Sequence, residues 1–210
     1  MEYAPVISAF EALERLRQGN HRFVTGEVDH EATANRRHQP NMATSQNPFA
    51  IVLACSDSRV PTELIFDQGI GDLFVIRVAG NIVAPSQIGS IEFAATQFGT
   101  RLVIVLGHNN CGAVIATLNE LAKKDTLRSP NLRAIVDRVR PAIEHILTEN
   151  SDHEAEEVID AAVRANVRAS VNRLRHGSLI IENLIDDDKL QICGAEYSIK
   201  TGRVKFLADD

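Results

Sequence analysis

Ala50-Ile51-Val52-Leu53-Ala54 runs directly into Cys55-Ser56-Asp57-Ser58-Arg59, and Leu102-Val103-Ile104-Val105-Leu106 runs into Gly107-His108-Asn109-Asn110-Cys111-Gly112. Short apolar runs bounded by turn residues and followed by a helical pattern are those of strands buried on both faces of a parallel sheet. In an open parallel sheet, functional groups gather in the crevice beyond the carboxyl ends of the strands. The two segments therefore predict that two thiols and one imidazole converge at one end of one sheet. Three such ligands with a fourth position open describe a catalytic zinc site.

Outward from these strands the elements alternate. Leu73-Phe74-Val75-Ile76-Arg77-Val78 reads as a further strand, reached through the turn Gly69-Ile70-Gly71-Asp72. Ser86 through Phe98, ended by Gly99, and Gly112 through Leu121 read as helices. Pro130 through Leu147 and Glu154 through Leu174 are amphipathic, with Pro141 expected to break or kink the first. Asp186-Asp187-Asp188 marks a turn, and Leu190–Tyr197 with Arg203–Leu207 predicts a hairpin across Thr201-Gly202. At the start, Ser8 through Gln18 carries Phe10, Leu13 and Leu16 at helical spacing, with Gly19-Asn20 as its stop signal. Residues 25–47 are polar, without a period, and read as a connection. The fold class is α/β: a mainly parallel central sheet with an antiparallel edge strand, flanked by helices, plus an N-terminal helical arm. Residues 1–210 are read as a single domain, with 1–47 forming the helix and connecting arm.

Composition restricts the function classes. A chain of 210 residues can bury about 70% of its unfolded surface. The formal charge of −6 and sequence pI near 5.7 argue against a general nucleic-acid binder, which would carry a basic face. No apolar stretch approaches the ~20 residues of a membrane span, and Met1-Glu2-Tyr3-Ala4-Pro5 does not open like a secretory signal. Three cysteines make a poor disulfide framework, and the expected compartment is a reducing cytoplasm.

His108-x-x-Cys111 has the compact spacing of a zinc loop, and the helix start at Gly112 favours thiolate over thiol. Cys55 supplies a third ligand from the neighbouring strand. Two anionic sulfurs make the metal a weaker Lewis acid than three neutral imidazoles would, so its water, brought to a pKa of about 7, needs help in orientation. Asp57 and Arg59 are placed to give it, since an arginine grips a carboxylate with two parallel hydrogen bonds. Two roles remain open to Asp57. It accepts a hydrogen bond from zinc-bound hydroxide, or it swings to the zinc as a fourth ligand and closes the site. Cys193 reads as a small core hydrophobe, and His21, His30, His38, His145, His153 and His176 as surface residues.

Ala54-Cys55-Ser56-Asp57-Ser58-Arg59-Val60-Pro61, Gly71-Asp72-Leu73-Phe74-Val75-Ile76-Arg77-Val78-Ala79-Gly80-Asn81 and Gly107-His108-Asn109-Asn110-Cys111-Gly112-Ala113 resemble a β-class carbonic anhydrase over nearly the whole chain. The resemblance implies zinc on Cys55, His108 and Cys111, and reversible hydration of carbon dioxide to bicarbonate and a proton with the Asp57–Arg59 pair. It implies a homodimer or homotetramer with each site near the subunit interface. Gln46 matches a glutamine that reaches substrate across that interface. Phe74 and Ala79 match the walls of a narrow apolar pocket, and the Gly112 N–H matches a bicarbonate contact. Phe93 stands where many members carry Tyr. Some members are locked by bicarbonate at a pocket built on a Trp; this chain has no Trp, and Val52 at the matching place, with Gln46, favours the open form.

Three rival functions differ in class. The same zinc site serves hydrolysis of carbon disulfide or carbonyl sulfide in related proteins. A non-catalytic zinc or anion module would close its metal with four protein ligands. A Rossmann-type nucleotide binder would carry G-x-G-x-x-G after the first strand, where this chain has Cys-Ser-Asp-Ser-Arg.

Overall fold

The computed structural model describes residues 7–28, 45–123, 129–149 and 154–208. The strands are β1 (Ala50–Ala54), β2 (Leu73–Arg77), β3 (Leu102–His108), β4 (Gln191–Tyr197) and β5 (Val204–Phe206). They form one five-stranded sheet in the order β2-β1-β3-β4-β5. The first four strands are parallel to their neighbours, and β5 pairs antiparallel with β4. This is the α/β architecture with an antiparallel edge strand.

Each residue of β1 and β3 is buried, and the alternation of the pleat divides them between two cores. Ile51, Leu53, Val103 and Val105 face one side. Ala50, Val52, Ala54, Leu102, Ile104 and Leu106 face the other. The helices are α1 (Ala9–Thr25), α2 (Thr62–Ile65), α3 (Pro85–Gln97), α4 (Gly112–Leu121), α5 (Pro130–Glu149), α6 (Glu156–Arg175) and α7 (Leu179–Asp186). The first core is covered by α3, α6 and α7 through Ile91, Val167, Val171, Leu174 and Ile181. The second is covered by α1 and α2 through Ala12, Leu16 and Ile65. A third cluster joins α4, α5 and the first half of α6 and includes Cys55 and Cys111. Thus α6 spans from the sheet to the side of the strand ends.

Four sequence expectations are corrected. Gly19-Asn20 does not stop α1, which runs to Thr25 and ends at Gly26 with φ 76°. Gly19 serves close approach instead: a Cβ there would lie 1.8 Å from the Phe66 carbonyl oxygen. Asn20 is a buried clamp, donating to the Ile65 and Gly202 carbonyls at 3.1 and 2.9 Å and accepting from the Val204 N–H at 2.8 Å. Pro141 lies inside α5 and does not break it, which corrects the first of the two expected effects. An interior proline costs about 3 kcal/mol, but Val136, Val139, Ile143 and Ile146 are all buried on this helix, each contributing roughly 1.5–3 kcal/mol. The helix α7, capped by the Ser178 side chain accepting from Ile181 N–H, lies where the sequence reading placed only a turn at its end. Finally, β3 includes His108, so that candidate ligand stands on the strand itself and not in the loop.

Cys193 is buried on β4 among apolar neighbours, and His21, His145 and His176 are exposed, as expected. His30, His38, His153 and most of the connecting arm lie outside the described residues. Among the described residues, no helix is long and apolar enough to cross a membrane.

The contact at Gly19 is testable. Gly19→Ala gains about 1 kcal/mol of helix propensity but drives a methyl group into backbone that cannot yield. We expect net destabilisation of about 3 kcal/mol, read as a lower urea midpoint at unchanged slope. A midpoint equal to that of the parent protein would refute this packing of α1 on α2.

Candidate metal centre and active site

The strand order changes direction at β1. The chain leaves β1 for β2 on one side and returns to β3 on the other. The crevice between the carboxyl ends of two such strands is where open α/β sheets place their sites. Cys55 follows the last residue of β1, and His108 is the last residue of β3. Cys111 is the N-cap of α4. The Sγ atoms of Cys55 and Cys111 and a ring nitrogen of His108 all lie within 4.8 Å of one another, and all three residues are buried.

The imidazole is oriented by its own backbone neighbour. Its Nδ1 lies 2.9 Å from the Asn109 carbonyl oxygen. A carbonyl only accepts, so Nδ1 carries the proton and Nε2 presents a lone pair. Asn109 is in turn fixed by its side chain, which accepts from the Ile199 N–H at 2.8 Å. His108 is 0% exposed, yet its Nε2 has no hydrogen-bond partner among the described residues. Asp57 Oδ2 stands 4.0 Å away, beyond hydrogen-bond reach. A buried acceptor left without a donor is costly in a folded protein, and a cation resolves it.

The sulfurs complete the same argument. The Cys111 thiol beside Cys55, with the Gly80 and Asp57 N–H groups, pushes the Cys55 thiol well below its ordinary range against the opposing effect of burial. Cys111 is pushed up by holding that shared proton beside Cys55 and by burial. The N–H groups of Val114 and Ala113 in the first turn of α4 oppose this and favour its thiolate. A divalent cation displaces the shared proton, which is how thiol sites couple metal uptake to proton release. Two sulfurs and one imidazole nitrogen suit zinc.

Beside these three residues Asp57 is gripped by Arg59: Nε to Oδ1 at 2.9 Å, Nη2 to Oδ2 at 2.7 Å, and the Arg59 backbone N–H to Oδ1 at 2.9 Å. The Arg59 guanidinium holds the Asp57 carboxyl well below the usual carboxylate range. Arg77, opposite Ala54 in the register, donates to the Cys55 carbonyl at 3.2 Å and to the Asp57 carbonyl at 2.5 Å. It thereby fixes both ends of the segment between them.

The remaining expected residues have varied positions. Gly112 opens α4, and Ala79 opens a 3-10 turn, Ala79–Asn81, after β2. Phe74 on β2 packs with Phe93 and Phe98, ring centroids 6.3 and 6.2 Å away, and Phe93 is 51% exposed. Gln46 is exposed. Arg77, Asn109 and the buried Asn166 and Ser170 escaped the sequence reading. The last two interrupt the apolar face of α6 at helical spacing, a signal that was available.

A family model described as carbonic anhydrase matches residues 50–204. Carbonic anhydrase 2 of Mycobacterium tuberculosis is 37% identical over 192 residues, covering 91% of this chain and 89% of its own. The solved β-carbonic anhydrase of Coccomyxa, in complex with acetazolamide, is 25% identical with a TM-score of 0.71, covering 94% of this chain and 86% of that one. A structure from a study of two tetrameric β-carbonic anhydrases of Sordaria macrospora shares the fold, at 24% identity and a TM-score of 0.72, over 95% of this chain and 98% of that one. With its Cys-His-Cys group that could hold a metal, its switch-point crevice and these relatives, the chain belongs to the carbonic anhydrase family, in its β class.

Proposed function

We propose that this enzyme uses zinc, held by Cys55, His108 and Cys111, to hydrate carbon dioxide reversibly to bicarbonate and a proton. The observation that carries the reading is the buried, unpartnered Nε2 of His108 beside two sulfurs within 4.8 Å, flanked by a carboxylate that Arg59 already fixes. Bound zinc would supply the Lewis acidity that makes hydroxide available near pH 7.

The protein's own groups do the positioning. Asp57 accepts a hydrogen bond from the attacking hydroxide, which turns a lone pair toward the carbon of carbon dioxide. As the new C–O bond forms, charge moves onto a substrate oxygen, where the Gly112 N–H donates. Phe74, Ala79 and Phe93 line an apolar pocket that favours an uncharged substrate over water. Gln46, exposed in the single chain, reaches the substrate bound by a second copy. The assembly is a homodimer or homotetramer, the cellular location is the cytoplasm, and neither nucleic acid nor membrane is a partner. Both Asp57 oxygens are engaged by Arg59, which supports the orienting role over that of a fourth metal ligand.

Cys55→Ser or Cys111→Ser should weaken zinc binding by at least about 100-fold and abolish hydration, measured by metal analysis after dialysis. Full zinc content with normal rates would remove either residue from the ligand set. Asp57→Asn should keep its zinc but lose about 100-fold in kcat, because an amide can offer its N–H to the hydroxide where a carboxylate only accepts. An unchanged rate would take Asp57 out of the mechanism.

The pH profile tests the whole reading. A lowered carboxyl pKa favours the charged form, so Asp57 keeps its accepting role as pH falls through the ordinary carboxylate range. Stopped-flow carbon dioxide hydration should therefore rise through one ionisation near pH 7, with no second limb from Asp57 in the ordinary carboxylate range. Activity confined to alkaline pH would instead mean that Asp57 leaves Arg59 for the metal. Release of sulfide from carbonyl sulfide with no carbon dioxide hydration would overturn the substrate.

A further inference from the structure

Asn166 is 2% exposed, on a helix whose other buried positions are mostly Val, Ala and Leu. Its Nδ2 donates to the Gly80 carbonyl at 2.8 Å, and one turn later Ser170 Oγ donates to the Asn81 carbonyl at 3.1 Å. These carbonyls belong to the 3-10 turn after β2, where Gly80 has φ 71° and Asn81 φ 43°. Glycine adopts this region freely, but for Asn81 it persists because surrounding groups enforce it. Gly80 has no room for a side chain either, since a Cβ would come 2.9 Å from the Ala113 Cβ on α4. On the other side of the turn, the Gly80 N–H donates to Cys55 Sγ at 3.4 Å.

We propose that Asn166 is a positioning residue for Cys55: by anchoring the carbonyl that follows the Gly80 Cα, it fixes the turn that holds the Gly80 N–H on the sulfur and moderates how strongly the sulfur donates to a metal. The proposal rests on the reading of Cys55 as a metal ligand. Two thiolates push charge onto a metal and blunt its Lewis acidity. An N–H···S hydrogen bond draws some of that charge back. Ser170 fixes the adjacent peptide and gives the same turn a second, weaker anchor. A purely structural role for Asn166 would require only that its amide be satisfied. It would not require the anchored turn to direct an N–H at a metal ligand.

Cobalt(II) substitution provides a readout independent of activity, because the thiolate-to-cobalt charge-transfer band reports sulfur donor strength. In Asn166→Ala the band should move to longer wavelength, because a sulfur freed of its N–H partner donates more strongly. Ser170→Ala should move the band in the same direction by less, and it serves if Asn166→Ala does not fold. Leu174→Ala, which removes a fully buried side chain from the far end of α6, should lower the melting temperature while leaving the band in place. A band present in the parent protein and unmoved in a folded Asn166→Ala or Ser170→Ala variant overturns the proposal alone. A band moved equally by Leu174→Ala also overturns it. No charge-transfer band in the cobalt-loaded parent overturns the metal reading and this proposal together.

Discussion

The parallel pairing of β1 with β3, in a register that sets Ala54 beside Leu106, is the constraint on which the site depends. It brings the residue after one strand and the final residues of the other to the same end of the sheet. Because β2 lies beyond β1 and β4 beyond β3, the connections leave to opposite sides and the crevice between them stays open. A slip of one residue would exchange the faces of β1, moving Ile51 and Leu53 into the core now filled by Val52. With both faces buried that slip is prohibitive, and Cys55 is located as firmly as the core itself.

Electrostatics then makes a buried group of donors serviceable. Two sulfurs and a ring nitrogen with aligned lone pairs repel one another in a medium that screens poorly. The surrounding N–H groups, from Gly80 at Cys55 and from the first turn of α4 at Cys111, lower that repulsion without supplying a competing ligand. Arg59, partly exposed, does the corresponding work for Asp57. Its charge remains hydrated while the carboxylate stays ionised and directed. The ion pair is therefore better understood as a device for orientation than as a source of stability, since exposed pairs contribute little.

How much of this the sequence disclosed depends on the range of the interaction. β1, β3, α4 and the hairpin end were legible because periodicity and turn chemistry are local, and Cys55, His108 and Cys111 were legible because strand ends predict convergence. Gly19-Asn20 misled because a glycine that permits helix-to-loop contact and a glycine that ends a helix look alike until Phe66 is placed beside it. Pro141 does not break its helix because its local penalty is outweighed by four buried aliphatic residues on the same helix. α7 has a serine cap and apolar residues, but at eight residues its periodicity is barely sampled.

The supporting shell was hidden for a different reason. Asn166 and Gly80 are 86 positions apart, as the bond between them spans nearly half the chain, and no local pattern announces such a pair. What the sequence does carry is a set of local violations: polar residues on the apolar face of α6, and an Asn in the left-handed region beside a glycine. Sequences that specify one fold are locally consistent, and departures concentrate where function requires them. Here the departures in α6 and in the turn after β2 meet at the same two peptides, next to the sulfur of Cys55. An apolar residue at 166 would suit the helix better but would leave the Gly80 carbonyl buried and unpaired, a cost of about 1–3 kcal/mol. That penalty would fall on the turn which carries the N–H to the sulfur. On this proposal the two polar residues on the apolar face of α6 are explained by the turn they anchor, and not by the helix in which they lie.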